Sequence, residues 1–99
     1  MIKHVILWKL KEMPAEKRAT VKANMKQHLE ALKGNIPGLL DIRVYTAPLD
    51  SSNVDVMLDT TFESTDALKN YAVHPDHVLV ADTFVRPFTA VRSCMDYEC

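Results

Sequence analysis

The sequence predicts an α+β fold, in which a four-stranded antiparallel sheet carries helices on one face in the order β-α-β-β-α-β. Three observations support this prediction. Four segments are predicted as strands, of which residues 39–47 and 54–62 alternate between apolar and polar side chains. One segment carries an apolar stripe at helical spacing, and a second helical segment is broken by Pro75. The chain has 99 residues, which suffices for one hydrophobic core, so residues 1–99 are predicted to form a single domain.

The chain opens with a predicted strand over residues 2–11, "IKHVILWKLK", which is rich in residues that favour strands. Pro14 suits the first turn of the helix that follows. Gly34 is the predicted end of that helix, because glycine readily adopts the left-handed conformation that closes helices. The residues of the stripe on this helix are Val21, Met25, His28, Leu29 and Leu32.

Two more strands are predicted over residues 39–47 and 54–62, separated by the turn-forming segment "PLDSSN". Successive side chains of a strand point to opposite faces of the sheet, so the apolar members of each alternation should face the helices. These are Leu40, Ile42 and Val44 in the second strand, and Val54, Val56, Leu58 and Phe62 in the third.

The second helical region should consist of two helices. Ser64 is a suitable N-cap for the first of them. Because the residue before a proline is disfavoured in helical geometry, His74 should end this helix near Val73. Pro75 should then start a second helix that extends to about residues 83–85.

A last strand over residues 88–98 completes the split-βαβ, ferredoxin-like order. The face of the sheet turned away from the helices would also carry many apolar side chains, which together exceed what a monomer normally exposes. Packing this face against a second copy would bury them, so we predict a homodimer that forms through the sheet faces. The residues concerned are Val5, Leu7, Tyr45 and Met57, together with either Val91, Met95 and Tyr97 or their neighbours on the last strand.

Composition excludes several classes of function. The formal net charge of −1 gives no basic surface for nucleic acid or anionic lipid. No apolar run approaches the roughly 20 residues needed to cross a bilayer, and the N-terminus does not have the pattern of a signal peptide. Cys94 and Cys99 match no disulfide framework and suit a reducing cytoplasm. We therefore expect a cytoplasmic protein with no nucleic-acid or membrane partner.

The segment "YAVHPDHVLVADTFVRP" carries the candidate chemistry. His77 lies in the first turn of the helix predicted from Pro75, where the helix dipole disfavours an imidazolium, so its ring could act as a general base. Tyr71 could offer its hydroxyl to the same cavity, and His4 projects from the strand face turned toward the helices. His77 and Tyr71 are thus the candidate catalytic pair. The predicted ligand contacts are His4, Ile6, Trp8, Phe62 and His74.

A structural role for the same side chains stays open. A buried histidine or tyrosine near a helix start can simply satisfy the backbone groups at the break. A metal site is not predicted, because His74 and His77 are joined by no third ligand at a recognisable spacing. No cofactor is predicted either, since the only glycines, Gly34 and Gly38, form no phosphate-binding loop.

Five segments resemble the stress-responsive A/B barrel (Dabb) family, in the same order and over essentially the whole chain. They are "MIKHVILWKLK", "IPGLLDIRV", "TFES", "YAVHPDHVLVADTFVRP" and "SCMDYE". The resemblance implies a ferredoxin-like fold that dimerises through its sheets into an α/β barrel. Many members are small proteins without an assigned role or plant stress-linked proteins, and one plant member is a cyclase that closes a polyketide by aldol condensation. The acid/base residues of that cyclase correspond to Tyr71 and His77, and another histidine of its pocket corresponds to His4.

Two hypotheses about function follow. The first is a homodimeric small-molecule-binding or stress-associated module without turnover. The second is a lyase or cyclase acting on a polyketide-like or otherwise carbonyl-bearing compound, with His77 and Tyr71 as the acid/base pair. The volume between sheet and helices discriminates between them, because ligand sites measure roughly 300–1,000 Å³ and less than about 150 Å³ would be too small for such a substrate.

Overall fold

The computed structural model describes all residues, 1–99, and has the predicted order of elements. An N-terminal strand and a long helix are followed by a strand pair, two short helices with two further helical turns, and a last strand. The elements are β1 (Ile2–Leu10), α1 (Ala15–Glu30), β2 (Leu39–Tyr45), β3 (Val56–Phe62), α2 (Thr65–Val73), α3 (Pro75–Val80), a π-helical turn (Ala81–Val85), a 3₁₀ turn (Arg86–Phe88) and β4 (Thr89–Glu98).

The four strands form one antiparallel sheet in the order β2-β3-β1-β4. This is the order of the ferredoxin-like fold, and the helices cover one face of the sheet. The buried apolar side chains of β1, β3 and α1 make one continuous core. The stripe predicted on α1 packs into it through Val21, Met25 and Leu29, whereas His28 is half-buried at its edge. None of the helices is long and apolar enough to cross a bilayer.

The prediction for one side chain of β2 is wrong. Leu40 was expected on the helix-facing side, but it is 39% exposed, while Leu39 is buried. The register with β3 shifts between Leu39 and Asp41, which is the irregularity of a β-bulge. An extra residue at a bulge reverses the facing of the residues before it, so Leu39 joins Ile42 and Val44 in the core.

The predicted end of α1 is also wrong. The helix ends at Glu30, before the predicted stop at Gly34. Shorter-range hydrogen bonds, Leu32 N to Leu29 O and Lys33 N to Glu30 O, tighten the chain beyond Glu30 into turns. Gly34 adopts a φ of 88° within this turn rather than at the helix cap.

The break between α2 and α3 lies where the sequence predicts it. α2 ends at Val73, and His74 has φ −63° and ψ 132°, an extended conformation typical of a residue before proline. Pro75 is the first residue of α3. The Ser64 hydroxyl accepts a hydrogen bond from the Ala67 N–H at 3.1 Å and so caps the start of α2.

Ser64→Ala should destabilise the protein by about 1 kcal/mol, because the cap is lost and one N–H group at the helix start loses its acceptor. For a domain of this size the melting temperature should fall by about 4–8 °C, which calorimetry would measure. Ser52→Ala is the matched control, since Ser52 lies exposed in the β2–β3 loop. An unchanged melting temperature for Ser64→Ala would show that the cap carries no stability.

The face of the sheet turned away from the helices carries a row of accessible apolar side chains. On β4, Val91, Met95 and Tyr97 are 53%, 66% and 43% exposed, and Tyr45 on β2 is 48% exposed. Val5, Leu7 and Met57 are half-buried in the middle of the same face. The pairing of Val5 with Met95 and of Leu7 with Met57 makes these side chains one connected patch, hereafter the far face.

Candidate functional site

A cavity of about 130 Å³ lies between the helix-facing side of the sheet and the helices. Its wall is mainly apolar, with a few polar side chains from separate elements. The lining residues are His4, Ile6, Trp8, Leu29, Leu58, Leu68, Tyr71, Ala72, His77, Ala81, Val85, Arg86, Thr89 and Arg92. A wider groove of about 620 Å³ shares His4, Leu68, Ala72 and Arg92 with this cavity and opens between α2 and β4.

Three polar side chains that the sequence singles out meet at the cavity. His4 comes from β1, Tyr71 from α2 and His77 from α3. The rings of Tyr71 and His77 are 4.1 Å apart between centroids, at an angle of 34°. The His4 ring meets the Tyr71 ring edge-on at 6.2 Å. The break at Pro75 is what places Tyr71 and His77 side by side, because it turns the chain between them.

The Tyr71 side chain is 1% exposed, and its hydroxyl has no hydrogen-bond partner in the protein. A buried hydroxyl without a partner is unfavourable. Burial also raises the pKa of Tyr71 above its usual value, an effect that the nearby charge of Arg92 only partly offsets. Tyr71 is therefore protonated at neutral pH and has a free O–H to donate.

The His77 ring is half-buried, and burial lowers its pKa. A hydrogen bond to the Ala72 carbonyl acts in the opposite direction, while the charges of Arg86, His4 and Arg92 add to the lowering. The sequence predicted a neutral ring from the helix dipole, but the main cause is burial. Nδ1 lies 3.3 Å from the Ala72 carbonyl oxygen. Because a carbonyl only accepts, this contact places the proton of the neutral ring on Nδ1 and leaves Nε2 free to accept one.

His4 is fixed by β4. Its Nδ1 lies 2.5 Å from Oδ1 of Asp96, which is its direct partner in the β1–β4 register. The Cys94 Sγ lies 3.7 Å from the same nitrogen and 3.5 Å from the same oxygen. These three atoms are of the types that bind metal ions and lie within 4.8 Å of one another. The positive charge of Arg92 acts on the Cys94 thiol and disfavours binding of a metal cation beside it.

The other predicted ligand contacts divide into two groups. Ile6 and Trp8 line the cavity. Phe62 is fully buried behind Tyr71, with its ring edge-on at 5.0 Å, and does not reach the cavity surface. His74 does not line the cavity either. Its Nδ1 accepts a hydrogen bond from the Asp76 N–H at 3.1 Å, so it caps the start of α3.

Sequence reasoning missed two polar groups on β4. Arg92 pairs with Trp8 and Asp96 pairs with His4, so both lie on the helix-facing side of the sheet. The alternation of "VRSCMDYE" places Arg92, Cys94 and Asp96 on one side of the strand. That pattern was the available signal, but only the strand pairing shows that this side adjoins the cavity.

Comparison with known proteins identifies related families and folds. The model of the stress responsive A/B barrel domain family matches residues 2–99. A dimeric protein of unknown function with a ferredoxin-like fold from Bacteroides fragilis is 30% identical, with a TM-score of 0.92 over 99% of this chain and 95% of that one. A search of curated proteins found no match.

Two more distant structures share the fold. A dimeric ferredoxin-like protein of unknown function from Thermobifida fusca is 20% identical, with a TM-score of 0.81 over 99% of this chain and 90% of its own. The hydroxynitrile lyase of Passiflora edulis is 15% identical, with a TM-score of 0.72 over 97% of this chain and 90% of its own. At these identities the likeness shows a common fold and nothing further.

Proposed function

Because the chain belongs to the stress responsive A/B barrel domain family, whose model covers residues 2–99, we propose that it is a homodimeric small-molecule-binding protein. Its ligand is a short carbonyl compound that occupies the cavity between sheet and helices. The carbonyl oxygen accepts a hydrogen bond from Tyr71, and apolar atoms of the ligand contact Ile6 and Trp8.

The observation that carries this proposal is the free hydroxyl of Tyr71. It is buried, protonated and without a partner in the protein, and it belongs to a side chain that lines the cavity. A bound carbonyl would supply the missing acceptor, so binding would regain the free energy of an unmade hydrogen bond. A wall that is mostly apolar with few polar groups is typical of small-molecule sites.

The size of the cavity restricts the ligand. Its volume of about 130 Å³ falls below the limit of about 150 Å³ set for a polyketide-like substrate. It corresponds to about four water molecules at the density of the liquid. The cavity by itself therefore favours a ligand or reacting group with only a few heavy atoms, and the adjoining groove of about 620 Å³ can hold a further part of the ligand.

The homodimer is supported by the far face. Its exposed apolar side chains, among them Met95 and Val91, would lose their contact with water against a second copy. The neighbours from Bacteroides fragilis and Thermobifida fusca are both described as dimeric. The cavity lies on the other side of the sheet, so this mode of assembly would leave it open to a ligand.

A nuclear magnetic resonance titration of the ¹⁵N-labelled protein with butan-2-one tests the binding proposal. We expect the largest shifts at the amides of Ala72, His77 and Ala81, which surround the cavity. The amide of Tyr45, which is on the far face and lines neither the cavity nor the groove, is the internal reference. Shifts spread evenly over the surface, or none at saturating ketone, would contradict the proposal.

Proton transfer is the second candidate function, favoured by the contact between Tyr71 and the neutral ring of His77. Nε2 would take a proton from the carbon next to the ligand carbonyl. The C–H bond breaks, an N–H bond forms, and the electron pair moves into an enolate whose oxygen is bonded by Tyr71. Exchange of these protons for deuterium should be faster with the protein than with its His77→Gln variant, as proton spectra in D₂O would show.

The lowered pKa of His77 predicts a dependence of stability on pH. Above the ordinary value of 6.5 the ring is neutral in both the folded and the unfolded chain. Below 6.5 the unfolded chain binds the proton first, so the free energy of unfolding should fall as the pH drops and level off below the folded pKa. Urea denaturation between pH 8 and pH 5, values chosen to bracket roughly the ordinary pKa, should show a shallower fall for His77→Gln. Parallel curves for the two proteins would contradict a buried, neutral His77.

A further inference from the structure

Arg92 lies where the cavity meets the groove. The residue lines both spaces, and it stands on the helix-facing side of β4 opposite Trp8. Burial is the main cause of the altered pKa values of Tyr71 and His77, but the charge of Arg92 acts on both groups as well. Arg92 is thus within electrostatic reach of the two side chains that the proposed function uses.

The two arginines beside the cavity differ in their partners. Arg86 forms an ion pair with Asp82, four residues before it on the same helical segment. Arg92 forms no ion pair with any carboxylate of the chain. Asp96, which follows Arg92 and Cys94 on the same side of β4, is bonded to His4. Only Arg92 therefore offers an uncompensated positive charge to a ligand in the cavity.

The charges of the groove restrict the anion that Arg92 could bind. Lys69 and Arg92 line it together with Asp96 and Glu98, so two formal positive charges face two formal negative ones. Because the positive and negative charges of the groove are equal in number, they give no strong net attraction for a dianion such as phosphate. The carboxylates of Asp96 and Glu98 also repel a dianion. A single carboxylate matches the planar fork of one guanidinium and needs only one compensating charge.

We infer that the ligand is a short oxo acid, whose carbonyl group lies at Tyr71 and whose carboxylate is bound by Arg92 at the mouth of the cavity. This inference rests on the proposed function and specifies its ligand class. The small cavity takes the carbonyl end, and the open groove leaves the charged end partly in water. Dimerisation through the far face would leave Arg92 accessible, because it lies on the opposite side of the sheet.

Calorimetric titration with 2-oxobutanoate and with its neutral amide, 2-oxobutanamide, tests the inference. The two probes have nearly the same shape and differ in charge. We expect the acid to bind about tenfold more tightly than the amide, because this is the contribution to affinity expected of one partly exposed, charge-assisted hydrogen bond. Arg92→Gln should abolish this difference, and Arg92→Lys should retain part of it. Arg86→Gln, which alters the arginine already paired with Asp82, is the matched control and should keep the preference.

The outcomes separate the two proposals. Equal affinities for acid and amide, or a preference that survives Arg92→Gln, would overturn the carboxylate site while leaving carbonyl binding intact. If neither probe binds, both the proposed function and this inference are contradicted. Inorganic phosphate should compete only weakly, and competition equal to that of the acid would overturn the assignment to a carboxylate. Circular dichroism of each variant checks that the fold is kept, and Arg92→Lys provides the test if Arg92→Gln fails to fold.

Discussion

Leu7→Glu should convert the protein from a dimer into a monomer. Leu7 lies in the middle of β1 on the far face, paired with Met57 on one side and Ser93 on the other. In a dimer formed through this face, glutamate would bury a carboxylate among apolar groups. Lys3 and Arg43 on the same face are already paired with Asp59 and Asp41, and Lys9 is exposed near the end of β1. An unpaired buried charge costs about 3–5 kcal/mol. Because the substitution occurs twice in a symmetric dimer, the dissociation constant should rise by about 10⁴-fold or more.

Light scattering after gel filtration at micromolar concentration measures this change. The wild type should give twice the chain mass of 11.2 kDa, and Leu7→Glu should give the chain mass itself. Leu79→Glu is the matched control, because Leu79 is 67% exposed on α3, on the other side of the sheet. A wild type that runs as a monomer, or a Leu7→Glu variant that stays dimeric, would refute assembly through the far face.

Tyr71→Phe should make the ligand-free protein more stable and lower its affinity for the ligand. The change removes one oxygen atom and keeps the ring that packs against Phe62 and His77. Since the hydroxyl is buried without a protein partner, its removal should raise the free energy of unfolding by about 1–2 kcal/mol. For a domain of this size that corresponds to a rise in melting temperature of about 4–8 °C per kcal/mol.

The second part of the prediction concerns binding. Without the Tyr71 O–H, the affinity for a short ketone should fall by about tenfold, the effect of one hydrogen bond. Tyr45→Phe removes a hydroxyl from a tyrosine that is 48% exposed on the far face and lines neither the cavity nor the groove, so its ligand affinity should be unchanged. A loss of stability in Tyr71→Phe would mean that the hydroxyl serves the fold. In that case the site would be structural.

Tyr71→Phe is informative because the binding role predicts a gain in stability together with a loss of ligand affinity, whereas a structural role predicts a loss of stability. Substituting a residue that serves stability alone destabilises the protein. A group that serves binding often makes the free protein less stable, so its removal can stabilise it. His74 illustrates the structural alternative within the same segment, since its ring nitrogen caps α3. The two histidines around Pro75 thus serve different purposes in our interpretation: His74 supports the break, and His77 faces the cavity.

The sequence alone determined the features that depend on neighbouring residues. Alternation of side chains along a strand and their recurrence along a helix are local properties, so β1, β3 and the stripe on α1 could be predicted. The end of α2 at Val73 follows from the steric effect of Pro75 on its predecessor. Likewise, Ser64 was recognisable as a cap because its hydroxyl serves an N–H only three residues away.

Only the tertiary structure decided which groups share the cavity. His4 and Asp96 are 92 positions apart, and their contact depends on the register between the first and last strands. The same register places Arg92 in the lining of the cavity that Tyr71 and His77 also line. Whether the Tyr71 hydroxyl finds a partner, and how much volume the helices leave above the sheet, depend on how all the elements pack together. Local patterns do not encode these quantities, because a shift of one residue in a strand pairing turns every side chain to the other face.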